Sequence, residues 1–105
     1  MYGLFGKITA QPGQRDALIR ILLDGMGPDQ GLEGCYLYVV GSAPDDENAI
    51  WITEVWRSQA DHQASLSHPA VQEAIRQGRP LIAGMSDRVE FTPLGGLGLP
   101  GNAED

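Results

Sequence analysis

The chain has 105 residues, with 14 acidic and 7 basic side chains giving a formal net charge of −7, and 42% of its residues are hydrophobic. That length suits one domain with a modest core, for which association with a second copy is a common reinforcement. The negative charge, without any basic stripe, argues against nucleic acid as a partner, and no apolar run reaches the roughly 20 residues that a membrane-crossing helix needs.

Residues 2–10 read as a strand, with Tyr2, Leu4, Ile8 and Ala10 on one parity and Phe5, Lys7 and Thr9 on the other. Met1 to Lys7 shows no basic region followed by a long apolar stretch, so no secretory signal is expected, and with Cys35 as the only cysteine a cytoplasmic location is expected. Gln11-Pro12-Gly13 breaks the strand. From Gln14 to about Met26 the spacing predicts a helix: Leu18, Ile21, Leu22 and Met26 recur every three or four residues, and Ile19 and Leu23 widen the apolar face. Gly27-Pro28-Asp29-Gln30-Gly31 stops it.

Residues 35–41 are rich in β-formers and read as a second strand. Cys35, the single cysteine, excludes an internal disulfide and a multi-cysteine metal site, and is expected to be a small buried side chain. A polar turn over residues 43–48 leads to a third strand over 49–57, most simply as an antiparallel hairpin. Ser58 is placed to cap the following helix, with Asp61 three residues on. Ser67-His68-Pro69 interrupts that helix, because the ring of Pro69 cannot continue the hydrogen-bond ladder but is accepted where a new helix starts. The new helix carries Val71, Ala74 and Ile75 on one face and ends at Gly78-Arg79-Pro80. A further turn is expected over Leu81–Gly84, and a last half-buried strand over 87–92.

The order βαββαβ implies an α+β, ferredoxin-like fold, a single antiparallel sheet with the helices on one face. The domain is expected to span residues 1–93, followed by a flexible Gly/Pro-rich tail over 94–105. Gly95-Gly96-Leu97-Gly98 has no lysine and precedes no helix, which excludes a phosphate-binding loop. The third strand has apolar residues of both parities, so the second sheet face is expected to be covered by another copy in a homodimer.

Side chains with chemical potential cluster after the hairpin. Glu54 and Trp56 lie two apart on one strand and leave the same face, together with Ile50 and Ile52. Glu54 reads either as a pocket-wall carboxylate that orients a bound partner or as a structural acid paired with an arginine. Trp56 reads either as a stacking platform for a planar aromatic ligand or as a core aromatic; Trp51, of opposite parity, reads as an interface or core residue. His62 falls one turn into the next helix, where it can face back over the sheet, and a neutral imidazole suits general acid–base work. His68 is expected to satisfy loop backbone. Without a carboxylate at ligand spacing the two histidines make a poor metal site. Arg76 either holds an anionic ligand, pairs with Glu54 or lies on a solvated face. Ser65 and Ser67 have no histidine–carboxylate partners at a recognisable spacing for nucleophilic catalysis.

The run Glu54-Val55-Trp56-Arg57-Ser58-Gln59-Ala60, followed by Ser67-His68-Pro69, resembles the signature of the antibiotic biosynthesis monooxygenase family, including its quinol monooxygenase-like members. There a strand ending in Glu-x-Trp or Glu-x-Tyr runs into a short helix. Pro12-Gly13-Gln14-Arg15-Asp16 is similar to the family's strand-to-helix entry. The resemblance spans residues 2 to about 93 and implies a ferredoxin-like domain that dimerises into an α+β barrel. It also implies a cofactor-independent oxidation by O2, without metal or flavin, of a quinol-like or phenolic aromatic molecule. Trp56 matches the family's aromatic at the strand end, and His62 and Arg76 take spacings where polyketide-oxidising members place a phenol and an arginine. On this footing the catalytic set is expected to be His62, Trp56 and Arg76, and the substrate-binding set Glu54, Ile52 and Trp56. Ile52 stands where such members have asparagine, and Ser65 where many relatives have histidine. Leu66 stands where haem-degrading relatives have histidine, and residues 2–10 lack those relatives' asparagine, so haem degradation is not expected. The alternative is a non-enzymatic dimer that binds an apolar aromatic metabolite; a purely structural dimer is a third reading.

Overall fold

A computed structural model of the chain describes residues 1–27 and 30–100. Its elements run β1 (Tyr2–Ala10), α1 (Arg15–Gly25), β2 (Cys35–Ser42), β3 (Ala49–Trp56), α2 (Gln59–Ser65), α3 (Pro69–Gly78) and β4 (Ile82–Phe91), with a 3-10 turn over Arg79–Leu81 before β4. The four strands form one antiparallel sheet in the order β2-β3-β1-β4. This is the ferredoxin-like α+β arrangement expected from the element order. Of the residues expected to stop the first helix, Pro28 and Asp29 lie outside the described residues, as do residues 101–105 of the tail.

Local chemistry accounts for the element boundaries. Gly13 has φ +79°, which lets the chain turn sharply from β1 into α1. The Ser58 hydroxyl accepts a hydrogen bond from the Asp61 amide at 3.1 Å, capping α2 as its position suggests. The Asp61 carboxylate is held by Arg57 at 2.6 and 3.0 Å, which lowers its pKa and ties the cap to the end of β3. At the α2–α3 junction His68 Nδ1 accepts from the Ala70 amide at 3.1 Å, so His68 satisfies backbone beside Pro69.

The cross-strand register sorts the side chains. Tyr2, Leu4 and Ile8 stand opposite Trp56, Glu54 and Ile50, and Tyr38 and Val40 stand opposite Glu54 and Ile52, so all face the helices. Ala10, Leu18, Ile50 and Ile52 form the buried core cluster, with Ile8, Leu22, Tyr38, Val40 and Ile82 packed against it. Helices α1 and α3 meet closely at Gly25, where an added Cβ would fall 2.5 Å from the Ala74 Cβ. Cys35 is half-buried at the start of β2, less enclosed than expected.

The last strand departs from the sequence reading. The helical turn lies at Arg79–Leu81, and Ile82 to Ser86, expected partly as that turn, are already paired with β1. β1 offers the backbone groups of Lys7 to Ala10, and pairing satisfies them better than another isolated turn. The strand's alternation is also broken. Asp87, at φ +56°, adds a residue so that Lys7 faces Ser86 while Phe5 faces Val89. Such a bulge hides the period of two on which a strand is recognised.

Candidate functional site

The inward row of β3 ends in Glu54 and Trp56. Trp56 is fully buried, and its indole N–H donates to Glu54 Oε1 at 2.9 Å. The Ser58 cap orients α2 so that His62, one turn in, turns back over the sheet. Its ring lies 5.6 Å from that of Trp56, edge-on at 67°, and 5.6 Å from that of Tyr2. His62 Nε2 stands 4.0 Å from Glu54 Oε1, both side chains being largely buried, while Nδ1 is enclosed without a hydrogen-bond partner among the described residues. Glu54, Trp56 and His62 are therefore brought together.

Burial pushes the Glu54 carboxyl above its ordinary range, opposed by the Trp56 hydrogen bond and by the charges of His62 and Arg88. Tyr38, opposite Glu54 on β2, is driven well above the usual phenol range, first by burial and then by the Glu54 charge, so it stays a neutral phenol. At the sheet edge Tyr2 donates its hydroxyl to Glu90 Oε2 at 3.0 Å, and Arg88 holds Glu90 at 2.9 Å. These form a polar cluster beside His62.

Glu54, His62 and Tyr38 border a cavity of 510 Å³ between the sheet and the helices. Its remaining wall is mostly aliphatic, from Ile8, Leu18, Leu22, Leu66, Val71 and Ile75 among others, with Ser65 and Arg79 as further polar members. A second, smaller cavity of 310 Å³ lies under the β1–β4 seam and shares Glu54, Ile8 and Met85 with the first. Glu54 thus separates two apolar spaces. An acid or base at such a position, with a neutral phenol opposite and an imidazole 4.0 Å away, can take a proton from a bound phenol and hold it away from water. No group of three or more histidine, cysteine or carboxylate side chains with metal-binding geometry occurs among the described residues.

The other expected site residues lie elsewhere. Trp56 has its ring covered and its donor occupied, so its place is beneath the cavity wall and it is not a stacking surface. Ile52 borders the second cavity and the core. Arg76 does not reach Glu54 or the main cavity. It lies on the exposed face of α3, bound by its guanidinium to Glu73 at 2.7 and 2.8 Å. Its spacing brings it to the neighbouring turn of the helix but to the wrong side. Three residues escaped the sequence reading, Tyr38 and Arg79 on the cavity wall and Tyr2 against the His62 ring. Tyr38 carries a usable signal, its parity on a hairpin strand opposite Glu54. Tyr2 is visible only through register, and Arg79 is masked by its place in a Gly-Arg-Pro helix stop.

The profile of the antibiotic biosynthesis monooxygenase family matches residues 1–77. Among solved structures, a candidate antibiotic biosynthesis monooxygenase from Chloroflexus aurantiacus is 55% identical, with a TM-score of 0.89; the alignment covers 94% of this chain and 98% of that one. A Pseudomonas aeruginosa protein (23% identity, TM-score 0.77, covering 90% and 94%) shares the fold. So does a Mycobacterium tuberculosis protein (18% identity, TM-score 0.75, covering 91% and 97%). The search of curated proteins returned no match.

Proposed function

We propose a function that starts from one fact: the chain belongs to the antibiotic biosynthesis monooxygenase family. On the proposed reading it is a cofactor-independent monooxygenase that oxidises a quinol-like or phenolic aromatic with O2 in the 510 Å³ cavity. The observation that carries this is the Glu54–His62 pair, 4.0 Å apart and set into an otherwise aliphatic wall. The pair removes the phenolic proton. The electron-rich anion passes one electron to O2, and the resulting radical and superoxide combine to form a C–O bond at the ring. The pair returns its proton to the peroxide so formed; loss of the C–H proton at that carbon with cleavage of the O–O bond then releases water and leaves a carbonyl, so that one oxygen atom enters the product and the other leaves in water. The protein's part is binding, orientation and proton transfer. Trp56 holds Glu54 in place through its indole N–H.

The same reading makes the active form a homodimer. The sheet face away from the helices is apolar: Phe5 stacks on Trp51 with ring centroids 5.1 Å apart, and Val39, Val89 and Phe91 lie around them exposed. A second copy covers such a face by packing sheet on sheet.

The test is oxygen uptake by metal-free, flavin-free protein over a panel of hydroquinones, naphthols and anthrones. Uptake above the autoxidation blank, lowered in His62→Ala, supports the enzyme. Saturable binding without any uptake replaces it with the alternative, a dimer that carries an apolar aromatic metabolite; the aliphatic wall favours that ligand class equally.

A further inference from the structure

Two arginines, Arg76 and Arg79, lie at the end of α3 and differ in their surroundings. Arg76 is neutralised by Glu73. Arg79 lines the main cavity and makes no ion pair or side-chain hydrogen bond among the described residues. Arg79 also shares an outer hollow with Glu73 and Arg76, yet it makes no ion pair with Glu73, which leaves it, among the described residues, an unpaired cation on the wall of an apolar cavity. Its backbone is held by the 3-10 turn and by Pro80, so the position is fixed even though the side chain is exposed.

The register locates Arg79 relative to the acid–base pair. Glu54 stands opposite Leu4 on β1, whereas Ile82, just past the turn that bears Arg79, stands opposite Ala10. Six residues of strand separate those levels, about 20 Å at the usual rise of about 3.3 Å. An arginine side chain extended back toward the sheet shortens that span to a length that an elongated aromatic molecule fills. The cavity is thus polar at both ends, Glu54, His62 and Tyr38 at one and Arg79 at the other, with aliphatic walls between.

Resting on the proposed function, we infer that the ligand is an elongated aromatic acid: a phenol at the Glu54–His62 end and an anionic group, carboxylate or its equivalent, paired with Arg79 at the other. Arg79 is then the residue that sets specificity. A guanidinium at the rim of an apolar lumen can bind a carboxylate in two parallel hydrogen bonds. A neutral molecule of the same shape gains no such pair and leaves the guanidinium to solvent.

The experiment measures binding in the absence of turnover. Calorimetric titrations compare 4′-hydroxybiphenyl-4-carboxylate with its methyl ester on wild type, Arg79→Gln and Arg76→Gln. Wild type is expected to prefer the acid at least tenfold. Arg79→Gln loses that preference with ester affinity unchanged, and Arg76→Gln keeps it. Thermal melting of each variant checks that the fold is intact. Equal binding of acid and ester by wild type, a preference that survives in Arg79→Gln, or binding of neither probe overturns the inference. An acid preference lost in Arg79→Gln, in a protein that takes up no oxygen with any phenol, keeps the inference and removes the monooxygenase reading alone.

Discussion

The Trp56 indole N–H and the Glu54 carboxylate lie on one face of β3, two residues apart and 2.9 Å from donor to acceptor. The hydrogen bond opposes the burial that raises the Glu54 pKa, and it holds the acid toward His62. Trp56→Phe keeps an aromatic ring and removes the donor. The expected cost is about 1.5–3 kcal/mol for a buried hydrogen bond to a charged group, measured by urea unfolding at neutral pH. Stability within about 0.5 kcal/mol of wild type would mean that the indole N–H contributes nothing to holding the acid.

Glu54 gives a pH signature of its own. A carboxyl whose pKa is raised by burial keeps its proton longer in the folded chain than in the unfolded one. Its contribution to stability therefore falls as pH rises from the ordinary carboxylate value through the raised one. Glu54→Gln removes that titration and keeps an acceptor for Trp56. Relative to wild type, the variant is expected to gain stability across that window and to differ by a constant amount below it. Asp61, Glu73 and Glu90, whose pKa values are lowered, titrate alike in both proteins and cancel. Unfolding curves at several pH values decide the matter; a difference that is flat or moves the other way contradicts the raised carboxyl.

His62→Gln is expected to lower oxygen uptake roughly 100-fold, the usual scale for a lost general acid or base, while ligand affinity changes less than about threefold. His62→Ala also leaves a void between the Tyr2 and Trp56 rings and is expected to cost about 1–3 kcal/mol. Turnover and binding measured on both variants separate the chemistry from the packing.

The contact of α1 with α3 depends on Gly25. Gly25→Ala brings a methyl group 2.5 Å from the Ala74 Cβ and is expected to destabilise the fold by about 1–3 kcal/mol. Gly84→Ala, where nothing lies within 4 Å of the added Cβ, is expected to stay within about 0.5 kcal/mol. Chemical denaturation of the pair is the measurement, and equal losses would contradict the close helix contact.

The open sheet face gives the last prediction. Trp51→Glu puts a charge at the centre of the Phe5–Trp51 stack, beside Lys7, whose ammonium lies 5.6 Å from the Trp51 ring centroid. Sedimentation is expected to show two copies for wild type and one for Trp51→Glu. A wild type that sediments as a single copy at micromolar concentration contradicts the dimer.

Much of this arrangement was legible in the chain order of residue types. The element order, the Ser58 cap, the restart at Pro69 and the shared face of Glu54 and Trp56 all follow from interactions within a few residues. Periods of two and of 3.6 and the chemistry of caps and proline are local properties, and sequence displays them directly. His62 was also legible, because the Ser58 cap fixes where the first turn of a short helix points its side chains.

The rest depended on contacts between distant segments. The start of β4 at Ile82 was decided by the backbone groups that β1 leaves to be paired, and the bulge at Asp87 erased the alternation that would have announced it. Arg76 and Arg79 are three residues apart, and while Arg76 meets Glu73 within its own helix, only the packing of α3 and the turn after it puts Arg79 on the cavity wall. Tyr38 meets Glu54 only through the hairpin register. Sequence determined which residues share a strand face or a helix turn; tertiary packing decided which face became a cavity wall. Burial, and with it the shift in Glu54, arises from atoms far away in the chain.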